Sequence, residues 1–317
     1  MWPPVRLPAG HRHGRTRLRN GTGPDAGGGA DTTMPIIPEK LLALEISPVE
    51  HRYTEKDAIL YALGAGFGYD PLDRDQLRFV YEKEMKVSPT FALVLGYSTS
   101  WLRDTGLDLV KIVHGEQAMV LHRAPTPHGH VIGRTRILDL IDKGADKGAL
   151  LYAERVISDR DSGEKIATLT QTIFCRGDGG FGGPKRETLP PHELPKRAPD
   201  HVCDLPTRPE MALTYRLSGD YNPLHADPDV AKQAGFERPI LHGLATFAVA
   251  GHAILKTICG YDPGRLRAIA GRFSAPVFPG ETIRTEMWRD GDVVSFRARA
   301  MQRDVVAINN GRAEVGA

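Results

Sequence analysis

The sequence predicts an α+β fold made of two modules, each a curled antiparallel sheet around a long central helix. Three observations carry this. A helix-rich region followed by about four strand-like runs occurs twice along the chain. The segments "PTPHGHVIGRT" and "PVFPGETIRT" both turn on a glycine before a strand bearing Thr and Arg, the trace of an imperfect repeat of about 150 residues. Between the halves, "GDGGFGGPKRETLPPHELPKRAPDHVCDLPTRPE" is rich in Gly, Pro and charge and has no period, which marks a linker. The expected organisation is a first module over 34–183, a linker over 184–208 and a second module over 209–317.

Residues 1–33 contain five arginines against two aspartates, many glycines and prolines, and no periodicity. They are expected to be disordered, with Met34 as the native start and an Arg-rich transit peptide as the rival reading. "YTEKDAILYALGAG" reads as a helix capped by Thr54, with Ile59, Leu60 and Leu63 near helical spacing. After a Pro/Asp loop, "LRFVYEK" reads as a strand. "SPTFALVLGYSTSWLRD" opens on Ser-Pro and is apolar nearly all round, as a buried helix is. Four strands follow, "EQAMVLHRA", "HVIGRTRILDLIDKG", "ALLYAERVISD" and "KIATLTQTIFCR", with "RDSG" as the turn between the last two.

In the second half, "MALTYRLS" leads to a short helix, "PDVAKQAGF". Asp227 is placed to cap it, Pro228 stands at its first position and Gly235 ends it. The long helix "GLATFAVAGHAIL" repeats apolar residues at Leu244, Phe247, Ala248, Gly251, Ile254 and Leu255. Strands are expected near "AIAGRFSAP", "ETIRTEMWRD", "VVSFRARAMQ" and "VVAINNGRAEV".

Net charge is +2 over 317 residues, and the opening arginines account for +3 of it, leaving −1 for the rest. The basic balance therefore gives no reason to expect nucleic acid. No apolar run reaches the ~18 residues of a membrane span. Cys175, Cys203 and Cys259 are odd in number and far apart, which fits neither a zinc site nor a disulfide framework. "EVGA" at the C-terminus is not a peroxisomal address, so a cytoplasmic location is expected.

The chemistry concentrates in "YRLSGDYNPLHADP", Tyr215–Pro228. Asn222-Pro223 keeps Asn222 out of the α region, so the chain from Asp220 to His225 is extended or turned and both side chains can face one point. Downstream, "RPILHG" puts Gly243 in the first turn of the long helix, where its N–H is an orphan donor at the positive end of the macrodipole. An acid/base pair beside such a donor suits addition of water to a C=C conjugated to a carbonyl.

These residues resemble the signature of the R-specific enoyl-CoA hydratases, hydratase 2, of the MaoC-like dehydratase group. "PILHGLATF" and "FSAPVFPGETI" extend the resemblance. "YALGAGFG", "LRFVYE", "SPTF", "VHGEQ", "IDKG" and "GGFGG" carry it through the first half, in the two-module form of peroxisomal multifunctional enzymes. It runs from Ile37 to Val315. It implies a double hot-dog fold, α+β, whose single active site lies in the second module, while the first is non-catalytic and accommodates the acyl chain. It implies Asp220 and His225 as catalytic pair, Asn222 as the residue that orients water or His225, and Gly243 as donor to the thioester oxygen. For the acyl-CoA it implies His114, Gly115, Lys143 and Phe273. It implies neither metal nor redox cofactor, coenzyme A entering only as part of the substrate, and a homodimer with no nucleic-acid or membrane partner.

Plainer readings stand beside these. Gly243 reads also as a packing glycine, His114 as a structural histidine, Lys143 as a surface charge and Phe273 as a core aromatic; Glu82 and Glu116 read as structural acids. Gly177, Gly179 and Gly182 have dinucleotide-fingerprint spacing but lead into "PKRETLPP", where no helix can begin. Neither GxSxG nor HExxH is present. A hot-dog thioesterase and a non-catalytic acyl-CoA-binding module are the rival functions.

Overall fold

The computed structural model describes residues 36–183, 188 and 190–316. The expected disorder of residues 1–33 and the Met34 start lie outside them. In chain order the elements are α1 (Pro38–Leu42), β1 (Val49–Tyr53), α2 (Glu55–Gly64), α3 (Arg74–Leu77), β2 (Ile112–Leu121), β3 (Gly129–Asp142), β4 (Ala149–Asp159), β5 (Lys165–Cys175), β6 (His201–Pro206), α4 (Met211–Tyr215), α5 (Pro228–Gln233), α6 (Gly243–Thr257), β7 (Leu266–Phe273), β8 (Thr282–Asp290), β9 (Val293–Ala300) and β10 (Val305–Val315).

The ten strands form one antiparallel sheet in the order β1-β3-β4-β5-β2-β7-β10-β9-β8-β6. Read outward from the centre, the two halves have the same connectivity, so the weak sequence repeat is explicit in the topology. β2 and β7 form the seam, pairing Glu116 with Arg272 through Val120 with Ala268. Glu116 there accepts from Arg272 Nε at 2.8 Å and from the Thr172 hydroxyl at 3.1 Å, a cross-strand opposite-charge pair that favours this register. Glu116 thus has a structural partner, as expected.

α6 lies inside the curl of the second half, and every residue from Leu244 to Leu255 is buried. The sequence stripe accounts for one face. The other is covered by the first half, where the 3-10 segment Pro89–Val94 is also wholly buried. At their crossing a Cβ on Gly251 would stand 2.7 Å from Thr90 Cγ2. Close packing needs a glycine at that position.

The four strands of the first half and the four after α6 form where their patterns place them, and α2 begins at Thr54 with a capping box to Asp57. Three segments differ. "LRFVYEK" is a chain of turns after α3, because Asp73 caps that short helix and Phe79 is drawn into an aromatic cluster, 4.7 Å from Phe67 between ring centroids. "SPTFALVLGYSTSWLRD" forms two 3-10 pieces, Pro89–Val94 and Ser100–Thr105, in place of one helix. Gly96 interrupts it at φ 53°, close enough to Gly133 that a Cβ would lie 2.7 Å from the Gly133 nitrogen. The expected linker contains β6, which zips along β8 from His201–Met287 to Pro206–Thr282. β1 and β6 are the short edge strands, too short to register as patterns and stabilised by their neighbours.

Candidate active site

The loop after α4 is shaped residue by residue. Gly219 adopts φ 119°, a left-handed value that glycine holds without strain, and the chain reverses to present Asp220. Asn222 sits at φ −55°, ψ 122°, in the range the following proline demands, and its Oδ1 accepts from the Leu224 N–H at 3.0 Å. This caps the short turn Pro223–His225, whose last residue is turned inward and is only 8% exposed. Asp227 then caps α5 by accepting from the Asp229 N–H at 2.8 Å.

Asp220, His225 and a third residue, His242, come together: one ligating atom from each lies within 4.8 Å of the others. His225 Nδ1 is 2.9 Å from the Ile240 carbonyl oxygen. A carbonyl only accepts, so Nδ1 carries the proton and Nε2 of the neutral ring keeps its lone pair. Burial holds His225 below the ordinary histidine range, with the Ile240 carbonyl and Asp220 opposing.

His242 is 1% exposed, at the N-cap of α6. Its Nε2 donates to the backbone carbonyl of Asp220 at 3.1 Å, and its ring stacks on His225 with centroids 3.7 Å apart. Burial first, then the neighbouring His225, push it down to about 3. It is neutral at any working pH, and its Nδ1 has no partner among the described residues.

One carboxylate and two imidazoles are also a donor set for a metal ion. Ligation needs each lone pair aimed, in its ring plane, at one point about 2.0–2.1 Å away. Rings stacked at 3.7 Å with planes 27° apart aim theirs side by side. The arrangement suits handling a proton better than chelation.

Gly243 is the first residue of the 15-residue α6, and its N–H makes no hydrogen bond among the described residues. The Phe273 ring lies over it, 3.4 Å from where a Cβ would be. The His114 ring is 4.8 Å from that of Phe273, and His114 is pushed down to about 4 by burial, with Asp220 near enough to oppose. Residues implied by the sequence in both halves therefore meet through the Phe273 ring. Gly115 forms a bulge in β2, where a Cβ would approach the Thr172 carbonyl oxygen to 3.2 Å. Its place is to set the direction of His114.

Lys143 is exposed in the β3–β4 turn, at the same end of the sheet as His114, with β4 and β5 between. The turn is fixed by the glycine loop: Gly180 and Gly182 N–H donate to the Asp142 carboxylate at 2.8 and 2.6 Å. The "GGFGG" run thus binds this chain's own carboxylate. Lys143 stands apart from the Asp220 cluster, about three strand spacings of ~4.8 Å from β2. Glu82 is exposed.

Sequence reasoning missed His242 and Tyr97. Tyr97 is pushed up to about 12, by burial first and the Asp220 charge second. His242 had one legible signal, its place directly before Gly243. Nothing in the local pattern singles out Tyr97.

Comparison with known proteins agrees with this geometry. Residues 191–311 match the MaoC like domain family, and residues 51–177 match the MFE-2 hydratase 2 N-terminal domain. A relative named enoyl-CoA hydratase 2, peroxisomal, from Arabidopsis thaliana is 40% identical over 282 residues, 83% of this chain and 91% of that protein. The solved MaoC-like dehydratase of Phytophthora capsici superposes with a TM-score of 0.77 at 35% identity, covering 88% of this chain and 98% of that one. A Mycobacterium tuberculosis protein described as having a double hotdog fold superposes with a TM-score of 0.51 at 14% identity, over 84% of this chain and 93% of that one, a likeness of fold alone. The fold here is a double hot-dog, α+β.

Proposed function

This chain belongs to the MaoC-like, hydratase 2 family, and on that premise we propose that Asp220 and His225 add water reversibly across a (2E)-enoyl-CoA to give the (3R)-3-hydroxyacyl-CoA. The enzyme is a hydro-lyase that hydrates enoyl-CoA in fatty acyl-CoA metabolism. One observation supports the assignment of the site above all: the Asp220 carboxylate and the His225 imidazole converge with His242, the residue directly before Gly243, whose N–H has no partner among the described residues.

The thioester oxygen accepts the Gly243 N–H. Water, held by the Asp220 carboxylate and His225 Nε2, attacks the β-carbon. The C=C electrons shift toward the carbonyl, and the charge gathering on its oxygen is met by the head of α6. The pair takes one proton from the water and returns one to the α-carbon, ending in its starting protonation state. Asn222 positions His225 through the turn that it caps. His114 and Phe273 wall the thioester, with Gly115 setting the strand direction, and Lys143 offers a point charge to a coenzyme A phosphate. No electrons are gained or lost overall, so the reaction as written draws on no cofactor beyond the coenzyme A of the substrate. A homodimer and cytoplasmic residence belong to the same proposal; sedimentation and fractionation against peroxisomal markers test them.

Asp220→Asn and His225→Ala are expected to lower turnover by about 10²–10⁴-fold with circular dichroism unchanged, read by loss of the conjugated thioester absorbance. Wild-type rates in both variants would remove the assignment. An (S) product on chiral analysis overturns the stereochemistry, and release of free thiol without hydration would favour a thioesterase.

A further inference from the structure

Arg155, on β4, is a cation without an anionic partner inside the first half. Its Nη2 donates to the Leu93 carbonyl oxygen at 2.5 Å and its guanidinium carbon lies 4.8 Å from the Tyr97 ring centroid. Nε is buried with no partner. The adjacent carboxylate, Glu154, is engaged 2.7 Å away by Arg136, and no carboxylate of the described residues pairs with Arg155. Burial lowers its pKa to about 10, so it remains charged at neutral pH. A charge taken out of water is strongly unfavourable unless something compensates it.

Arg155 faces a cavity of about 20 Å³ that it lines with Tyr97, Gln117, Gln171, Leu244 and Glu154, whose carboxylate is held by Arg136. Leu244, which lines the cavity, follows Gly243 directly in α6. The cavity therefore runs from the first turn of α6, next to the Gly243 donor, to the guanidinium. Its volume admits a few atoms and no long chain. Amide side chains of Gln117 and Gln171 add hydrogen-bonding capacity and no charge. A purely hydrocarbon tail entering here would cover an arginine and satisfy none of its donors.

We propose that Arg155 is a specificity residue that receives the terminal carboxylate of a short unsaturated dicarboxylic acyl thioester, a 2-enedioyl-CoA. The thioester binds at Gly243, the β-carbon faces Asp220 and His225, and the far carboxylate pairs with the guanidinium in the geometry arginine favours. This placement rests on the hydratase reading of the site.

Two measurements separate the inference from that reading. Dissociation constants of the unreactive pair adipyl-CoA and hexanoyl-CoA are expected to favour adipyl-CoA by about tenfold or more in the wild type. Kinetics with (2E)-hex-2-enedioyl-CoA and (2E)-hex-2-enoyl-CoA are expected to show the same preference in kcat/KM. Arg155→Met should reverse both preferences and Arg155→Lys keep part of them. Equal or tighter binding of hexanoyl-CoA by the wild type overturns the proposal, and this comparison stands even if the variants do not fold. An Arg155→Met protein that weakens both ligands alike also overturns it, since that is the signature of a guanidinium that only caps Leu93. Preferential adipyl-CoA binding without turnover of any enoyl-CoA would leave the inference in place and remove the hydratase reading.

Discussion

The imidazoles of His225 and His242 stack face to face, with centroids 3.7 Å apart and planes at 27°. His242 is tied to the backbone carbonyl of Asp220 and His225 to that of Ile240. The residue before the oxyanion donor therefore touches both members of the proposed catalytic pair, one through its ring and the other through its backbone.

His242 is a positioning residue on this geometry. His242→Leu should lower kcat on the order of tenfold while KM moves little, because the Asp220 carbonyl loses its donor and the His225 ring its stacked neighbour. His242→Asn, which can still donate to the Asp220 carbonyl, should recover part of kcat. Wild-type kcat in His242→Leu, or a loss carried by KM alone, would count against this positioning role.

The Gly243 N–H can be removed without ending the helix. Proline is tolerated at a first helical position, and His242 already has φ −55°, ψ 137°, which a following proline accepts. Gly243→Pro should lower kcat by about 10²–10³-fold. Gly243→Ala, which keeps the donor and meets Phe273 at 3.4 Å, controls for bulk. Equal losses in both variants would point to crowding and away from a lost hydrogen bond.

Acid should destabilise the fold through its buried histidines. His114, His242 and His252 are held at about 4, 3 and 3 against an ordinary value of 6.5, chiefly by burial. Their folded pKa values are depressed, so the unfolded chain binds more protons below 6.5. Stability is thus full above that pH and falls as pH drops toward 4, by up to about 1.4 kcal/mol per pH unit per histidine. Urea midpoints at a series of pH values read this. His252→Leu should flatten the slope; an unaltered slope would show that His252 does not take part.

Gly251→Ala should cost about 1–3 kcal/mol, because its Cβ would stand 2.7 Å from Thr90 Cγ2. Thr90→Ser removes that methyl and keeps the hydroxyl bonded to Ser88 at 2.9 Å. The double variant should recover most of the loss in a thermodynamic cycle; simple additivity would place the strain elsewhere.

Local chemistry is what the sequence determined. Proline after Asn222, Asp227 before Pro228 and Gly243 at a helix head act within a few residues, through sterics and hydrogen bonds that do not depend on distant chain. For that reason the motif loop, α5, α6 and the eight longer strands were legible. The fold class could be read because alternation in strands and the stripe on α6 reflect which face is buried.

Tertiary structure decided what depends on meeting partners. Phe79 left a strand-like pattern for an aromatic cluster, Gly96 broke an apolar run at its contact with Gly133, and β6 became a strand only by pairing with β8. His242 entered the site by stacking on His225, and Arg155 met Tyr97 through the packing of β4 against a distant loop. Periodicity records that a face is covered; it does not record by what, because burial energy is non-directional and contact identity is set by chain brought from far away.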